Sequence, residues 1–410
     1  MDSSRNRSNR RQVLVGAAKV GTAAAAASAG IGWLPARAAD NEFRIGWIKP
    51  LTGQLASTFE GYYYAADIAL EEINAAGGIM GRKLVKVELD DQASPAIEPL
   101  VMRKLADDGI QFVLGPVGSS QALAAFHVGQ PKKMIQATYA SADEVGDGTK
   151  YPYHYGFSSP GMAQVKRHAE YLAALKLAKI GVLTEDSAAG ASIRDSIKQE
   201  LAARKMEIVS DQVFPLRTND MLPYLRKLRA DGAVALDTHV SNLNDMTQLR
   251  IALKRLNWNP PIVGGAGLML TGTVPDGAMY KDIYAATYRS LTYTDKEQPP
   301  ARVIEFAKKL LRKDISASVI GAAITSPFYD YLYALKKAVE TTKSTDPDAI
   351  KRYLDSGVDL NGLFGRLTFS PSRHFGYEAD AMAMAVVASE DEPLAKEYKG
   401  IFRRRAPAVA

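Results

Sequence analysis

From Phe43 onward the chain alternates short apolar runs with amphipathic helical stretches, and it does so twice. Such alternation belongs to layered α/β architecture, in which helices cover the faces of a parallel sheet. The first series predicts strands near 43–48, 84–89, 112–115 and 134–137, with helices near 61–76, 97–108 and 120–128 between them. In the first helix Ala65, Ile68, Ala69, Ile73 and Ala76 fall at helical spacing, and Gly77-Gly78 stops it. The pattern then restarts, with strands near 180–183, 209–214, 234–236 and 262–264 and helices near 192–204, 222–231 and 246–256. Long helices follow near 302–313 and 327–342. Two such series predict two similar lobes, each built on its own parallel sheet, and the chain length suits two domains.

The segment ahead of this pattern reads as an export signal. Arg10-Arg11 precede Val13-Leu14-Val15, a weakly hydrophobic Ala/Gly run spans 16–32, and Pro35-Ala36-Arg37-Ala38-Ala39 closes it. A basic region, an apolar region and a small-x-small cleavage site stand in order. The paired arginines resemble a bacterial twin-arginine signal, so residues 1–38 are expected to be removed near Ala38 and the protein delivered to the periplasm. Lys19 and the Ala/Gly bias argue against an uncleaved membrane-spanning helix.

Export changes the charge balance. The full chain holds 51 basic and 45 acidic residues, but six of the basic ones and only Asp2 among the acids lie in 1–38. The remainder carries 45 basic against 44 acidic side chains, a net of +1. A nucleic-acid partner thereby loses its electrostatic support. Arg403-Arg404-Arg405, in a Pro/Ala tail over 401–410, reads as a solvated end. There is no cysteine, which removes thiol catalysis, cysteine metal sites and a lipid-attachment thiol.

In open parallel sheets ligands bind beyond the carboxyl ends of the strands. Those positions hold Thr58 and Phe59, Gly118-Ser119-Ser120, and Thr138-Tyr139-Ala140-Ser141 in the first series. In the second they hold Glu185-Asp186-Ser187-Ala188-Ala189, Thr238-His239-Val240-Ser241-Asn242 and Gly265-Ala266-Gly267. Ser119 and Ser120 at a helix start favour a carboxylate, although a serine there also serves as a plain helix cap. Ser141 has the same two readings, and Tyr139 reads as a stacking wall or a core residue. Tyr151-Pro152-Tyr153-His154-Tyr155 reads as packing near an interlobe crossing. Enzyme signatures are missing: there is no nucleophile elbow, phosphate-binding loop or dinucleotide fingerprint. The five histidines show no metal-ligand spacing, and Asp90-Asp91 reads as turn chemistry at a strand end. No catalytic residue, metal or cofactor is expected.

Several motifs carry a resemblance. Pro50-Leu51-Thr52-Gly53, the run Glu71-Glu72-Ile73-Asn74-Ala75-Ala76-Gly77-Gly78, Gly115-Pro116-Val117-Gly118-Ser119-Ser120 and Asn361-Gly362-Leu363-Phe364-Gly365 occur in order over about 43–387. With them the chain resembles periplasmic solute-binding proteins of the branched-chain amino acid (Leu/Ile/Val-binding) type that serve ABC importers. The resemblance implies two Rossmann-like α/β lobes joined by a three-crossover hinge, closing over a ligand. It divides the chain into lobe one (40–158 plus about 290–362) and lobe two (159–289 plus about 363–400). It implies a ligand carboxylate held by Ser119, Thr138 and a hydroxyl at Ser141, with the aromatic wall at Thr58 and Phe59. Across the cleft it places contacts at Ala189 and Asn242, and a late apolar contact at Ile324. Where amino-acid binders of this type hold the α-ammonium with an acid, this chain has Ala266, and only Asp186 or Asp237 would supply a charge. A buried ammonium without a partner is costly. The expected ligand is therefore a small carboxylate without an α-amino group, an organic or aromatic acid, with an amino acid as the alternative. The expected partners are an ABC permease and its ATPase, with the binding protein itself a monomer. A ligand-sensing subunit with the same fold is the rival reading, and an exported α/β hydrolase the more distant one.

Overall fold

The computed structural model describes residues 41–53, 55–270 and 282–407. The expected signal over 1–38 and its cleavage site lie outside the described residues. The first sheet is five-stranded and parallel, built from β1 (Glu42–Lys49), β2 (Lys83–Asp90), β3 (Phe112–Val117), β4 (Ile135–Tyr139) and β5 (His154–Tyr155) in the order β2-β1-β3-β4-β5. The second holds β6 (Lys179–Glu185), β7 (Glu207–Phe214), β8 (Ala235–His239), β9 (Ile262–Gly264) and β10 (Ile283–Tyr288). A pair, β11 (Thr292–Tyr293) and β13 (Arg403–Arg404), stands apart, while β12 (Met382–Val386) runs antiparallel to β10 and closes the six-stranded order β12-β10-β9-β8-β6-β7. Central strands such as β3 are buried along their whole length, which is why they read as continuous apolar runs.

The helices that matter for the site begin at strand ends. In the first lobe α1 (Ala56–Phe59) and α2 (Gly61–Ala75) follow β1, α3 (Glu98–Asp107) follows β2, and α4 (Ser119–Gly129) follows β3. In the second lobe α5 (Gly161–Ala174) precedes β6, α6 (Ala188–Ala203) follows it, and α7 (Leu222–Ala230) and α8 (Leu243–Leu256) follow β7 and β8. The later helices α9 (Ala301–Leu311), α10 (Ala317–Ile324), α11 (Phe328–Thr342) and α12 (Pro347–Leu354) return to the first lobe, where α9, α10 and α11 pack on α2 and α12 packs on α11. The short α13 (Pro393–Glu397) comes last. The chain passes between the sheets three times: after β5, after β10 and just before β12.

Those crossings are held by aromatic packing around one buried carboxylate. Tyr288, at the end of β10, stacks on Phe364 with centroids 3.9 Å apart and meets Tyr377 edge-on at 5.1 Å. The Tyr377 hydroxyl donates to Asp330 Oδ2 at 2.5 Å, and the Leu363 N–H donates to Asp330 Oδ1 at 2.8 Å. Burial pushes the Asp330 carboxyl up to about 6, and these two donors oppose the shift. The Tyr151–Tyr155 stretch packs beside the first crossing, with Tyr155 stacked on His374 at 4.2 Å.

Two expectations differ from what the fold shows. Residues 363–376 do not pass into the second lobe. Gly156 bridges to Phe375, His374 Nδ1 contacts the His154 carbonyl at 2.7 Å, and the chain stays against the first sheet until the crossing before β12. Pairing with that lobe's edge holds the stretch there, where the family resemblance had assigned it to lobe two. The basic tail is likewise not a solvated end. Ile401 and Phe402 are buried, Arg403 is 2% exposed, and Arg403–Arg404 form β13 against β11. Arg404 pairs with Glu392 at 2.7 Å and Asp295 at 2.9 Å, while Arg405 reaches Glu297. Arg404 and Arg405 are held there by the acids Asp295, Glu297 and Glu392, which neutralise them.

Because Phe402 is fully buried and packs edge-on against Tyr398, Phe402→Ala is expected to cost about 3–5 kcal/mol. Denaturant titration followed by circular dichroism measures it. A loss within about 0.5 kcal/mol would mean that this end is not part of the packed body.

Candidate functional site

Parallel strands release their helices from one edge, and here the two edges face each other. Between them lies a cavity of about 350 Å³, toward the small end of the ~300–1,000 Å³ typical of small-molecule sites. A larger groove, about 630 Å³, lies between α9 and α11 on the outer side of the first lobe. Two of its lysines are already paired, Lys309 with Glu72 at 2.6 Å and Lys336 with Glu340, and it lies away from every strand end. The interlobe cavity is therefore the candidate site.

Its first-lobe wall begins at α4. Gly118, ahead of the helix, has φ +109°, and a Cβ there would sit 2.3 Å from Gln121 Oε1, so only glycine lets the chain turn this tightly into the helix. The first N–H groups of α4 have no partner further back in the helix. Ser119 is 3% exposed, and its Oγ accepts the N–H groups of Ser141 and Ala142, each at 3.1 Å. A hydroxyl has two acceptor positions and one proton. With both acceptor positions used, Ser119 is left as a donor at the cavity wall. Next to it, Ser120 Oγ accepts the Ala188 N–H at 3.3 Å, so the starts of α4 and α6 meet across the cleft. Two helix N-termini converge on one space, and both favour an anion there.

The body of the cavity is apolar and aromatic. Tyr139 and Tyr62 lie with centroids 4.3 Å apart, Phe59 stands edge-on to Tyr62 at 6.4 Å, and Leu55 and Pro95 complete this side. The loop carrying Ala93 and Pro95 is fixed from behind. Gln121 Nε2 donates to the Ala93 carbonyl at 2.7 Å, and the Ala93 N–H donates to Asp91 Oδ1 at 2.9 Å. Asp90 has the expected turn role, accepting from Leu51, Thr52 and Gln92. Asp91 has it as well, through the Ala93 N–H two residues on, and it is in addition fully buried beside fully buried Glu98. Desolvation, with the Asp91 charge adding to it, holds the Glu98 carboxyl well above the usual range, so Glu98 keeps its proton at neutral pH.

The second-lobe wall carries more acid than the sequence reading assigned. Glu185, at the end of β6, is 3% exposed and lines the cavity. Its carboxylate accepts Ser187 Oγ at 2.8 Å, the Ser241 N–H at 3.0 Å and Ser241 Oγ at 2.7 Å, which ties together the loops after β6 and β8. His239 stands 3.8 Å from it, and desolvation holds its pKa below the ordinary histidine value. Asp186 is exposed at the rim, and among the described residues its carboxylate has no protein partner. Opposite α4 the wall is Gly265-Ala266-Gly267, which carries no charge.

Of the expected residues, Phe59, Ser119, Ser120, Tyr139, Ser141, Asp186, Ala189 and Ala266 stand together around this cavity. Four others do not line it. Thr58 lies on α1 outside the wall, while Thr138 turns to the core and meets His154 Nε2 at 2.8 Å. Asn242 caps α8, accepting the Asp245 N–H at 3.0 Å, and Ile324 is packed in the main core. Asp237 lies in the second-lobe core, 3.0 Å from His168. Tyr62 and Gln164 line the cavity without having been singled out, and Glu185 and His239, named only within the strand-end runs, line it too. For Tyr62 the available signal was its place three residues after Phe59, on the same helical face. Among the described residues no group of three or more His, Asp or Glu is arranged to hold a metal ion, and no helix is long and apolar enough to cross a membrane.

The periplasmic binding protein family model matches residues 42–392. The chain belongs to that family. It is 27% identical over 349 residues to Leu/Ile/Val-binding protein homolog 3 of Brucella melitensis, covering 82% of this chain and 89% of that protein. The fold is shared with the branched-chain amino acid transporter substrate-binding protein LivJ of Streptococcus pneumoniae, solved with isoleucine. That match has a TM-score of 0.71 and 22% identity, covering 84% of this chain and 96% of LivJ. It is shared equally with a solute-binding protein of an ABC transporter from Rhodopseudomonas palustris, solved with p-hydroxybenzoic acid. There the TM-score is 0.71 and the identity 17%, over 84% of this chain and 92% of that one.

The Asp91–Glu98 pair predicts a pH dependence. A carboxyl raised in the folded state contributes fully below its unfolded value of 4.5, and that contribution is lost as pH rises above it. Glu98→Gln keeps the shape without the proton equilibrium. Between pH 5 and 8 its stability relative to the parent chain is expected to rise by up to about 1.4 kcal/mol per pH unit. Urea titrations at several pH values check this, and parallel curves would place the proton elsewhere.

Proposed function

We propose that this protein is the exported substrate-binding component of an ABC importer and captures a small carboxylic acid between its lobes. The observation that carries the reading is the Ser119 hydroxyl. Both of its acceptor positions are occupied by backbone N–H groups, so it offers only a proton to the space where α4 and α6 begin. An acid seated there places its carboxylate on these donors and its apolar body against Phe59, Tyr62 and Tyr139. Contacts from both lobes favour the closed form by their differential affinity for it. The closed surface is then what a membrane permease with its ATPase recognises. The family supports delivery to the periplasm, and the expected twin-arginine segment fits that route.

An acid without an α-amino group fits best, because the wall facing α4 is uncharged Gly265-Ala266-Gly267 and Glu185 already accepts three protein donors. Asp186 is the group on which an amino-acid ligand would depend. Exposed ion pairs contribute about 0–1 kcal/mol, so at the rim it offers weak compensation for a buried ammonium.

Isothermal titration with benzoate, 4-methylpentanoate and leucine tests both parts. One of the acids is expected to bind and leucine to bind more weakly. Ser119→Ala should weaken the acid about 10- to 100-fold, as expected for a hydrogen bond to a charged group of about 1.5–3 kcal/mol. Asp186→Asn should strengthen the acid about two- to threefold by removing a like charge. Tight binding of leucine that Asp186→Asn abolishes would instead establish an amino-acid receptor.

A further inference from the structure

A second, smaller void opens off the cleft on the hinge side. Its volume is about 30 Å³, room for a small polar group, since a cavity admits a water from about 10–15 Å³ upward. It shares Tyr139, Ala140, Ser141, Gln164 and Ala266 with the main cavity, so it is an annex of the same space. Its far walls come from the crossings themselves. Ser158 lies on the first crossing, between β5 and α5, and Thr287 lies on β10 just before the second.

Both side chains are deeply buried, Ser158 at 4% and Thr287 at 2% exposure. Among the described residues Ser158 Oγ and Thr287 Oγ1 have no hydrogen-bond partner. Buried hydroxyls are ordinarily satisfied, and leaving one without a partner is costly. Ser158 and Thr287 both line this small void, and two unsatisfied hydroxyls on its walls are complementary to an atom that both donates and accepts. The neighbouring Thr325 has committed its proton, since its Oγ1 donates to the Gly321 carbonyl at 2.9 Å, and it offers this space only an acceptor.

Resting on the acid reading of the cleft, we propose that the natural ligand is a hydroxylated carboxylic acid, whose hydroxyl enters this annex and pairs with Ser158 and Thr287. Seated there, the ligand contacts both lobes and two of the three connecting segments. Recognition of the hydroxyl is then coupled directly to the geometry of the hinge. An acid lacking it leaves the annex to a water molecule or empty, and loses that contact.

The test compares plain and hydroxylated acids by isothermal titration on the full exported chain. The probes are benzoate with its 2-, 3- and 4-hydroxy derivatives, and 4-methylpentanoate with 2-hydroxy-4-methylpentanoate. At least one hydroxylated acid is expected to bind tenfold or more tightly than its parent. In the double variant Ser158→Ala, Thr287→Val that ratio should fall to within twofold, and in Thr287→Ser, which keeps a hydroxyl, it should persist. Thermal melting of each variant verifies that it is folded. If plain acids bind and no hydroxylated form gains, or if the gain survives the double variant, the annex holds only water and the inference is overturned. If no acid of either kind binds, the acid reading of the cleft falls first, and the inference falls with it.

Discussion

A parallel sheet obliges every strand to leave from the same edge, and the rest of this molecule follows from meeting that constraint twice. Each return to the sheet needs a helix, and each helix begins at the edge where a strand has just ended. The loops and helix N-termini of a lobe are thereby gathered on one side whatever their sequence. Bringing two such edges together gives a cleft whose polar groups are mostly backbone N–H and short hydroxyls. Ser119, Ser120 and Ser187 sit where they do because α4 and α6 start there. The electrostatic character of the site is in this sense a property of topology, and side chains refine it.

The same arrangement makes the connecting segments unusually demanding. Three stretches of chain must lie side by side without a sheet of their own, and burial of Asp330 organises them. Its two oxygens receive a backbone N–H from the 363–364 turn and the Tyr377 hydroxyl, and Tyr377 in turn supports Tyr288 and Phe364. A carboxylate held by two donors imposes direction on the turn, where apolar contacts alone would impose only proximity. The short pairing of β11 with β13 adds a further fixed point next to the second crossing.

How much of this was legible in the sequence depended on whether each residue served its local element or a distant partner. β1, β3 and β6 were readable because each carries a run of apolar residues, and glycine, proline or acidic turns bound them. β10 and β12 were not, since Ile283-Tyr284-Ala285-Ala286 and Met382-Ala383-Met384-Ala385 are alanine-rich, and alanine favours helix until a sheet edge captures it. The same division runs through the site. Ser119, Tyr139 and Ala266 follow from strand ends, whereas Thr138 fails because alternate residues of a strand face opposite sides. Asn242 reads equally well as a ligand or a cap, and only the distance to the Asp245 N–H decides. Glu98 and Asp91 find each other through the fold, so no spacing rule would have paired them.

The wall opposite α4 has a consequence for how this receptor changes over evolutionary time. A Cβ on Gly267 would lie 1.7 Å from the Val240 carbonyl, so that position is closed to every side chain. On Gly265 a Cβ would press on Gln164 Oε1 at 2.6 Å, a contact that only a shift of the glutamine relieves. Ala266 is the remaining member of the triplet that already carries a side chain. Acquisition of a charged contact on this wall is thus channelled first through Ala266, with Gly267 barred by backbone and Gly265 open only if Gln164 moves aside. Drift between ligand classes in such a lineage becomes a nearly one-dimensional path, with the packing of two loops as its banks.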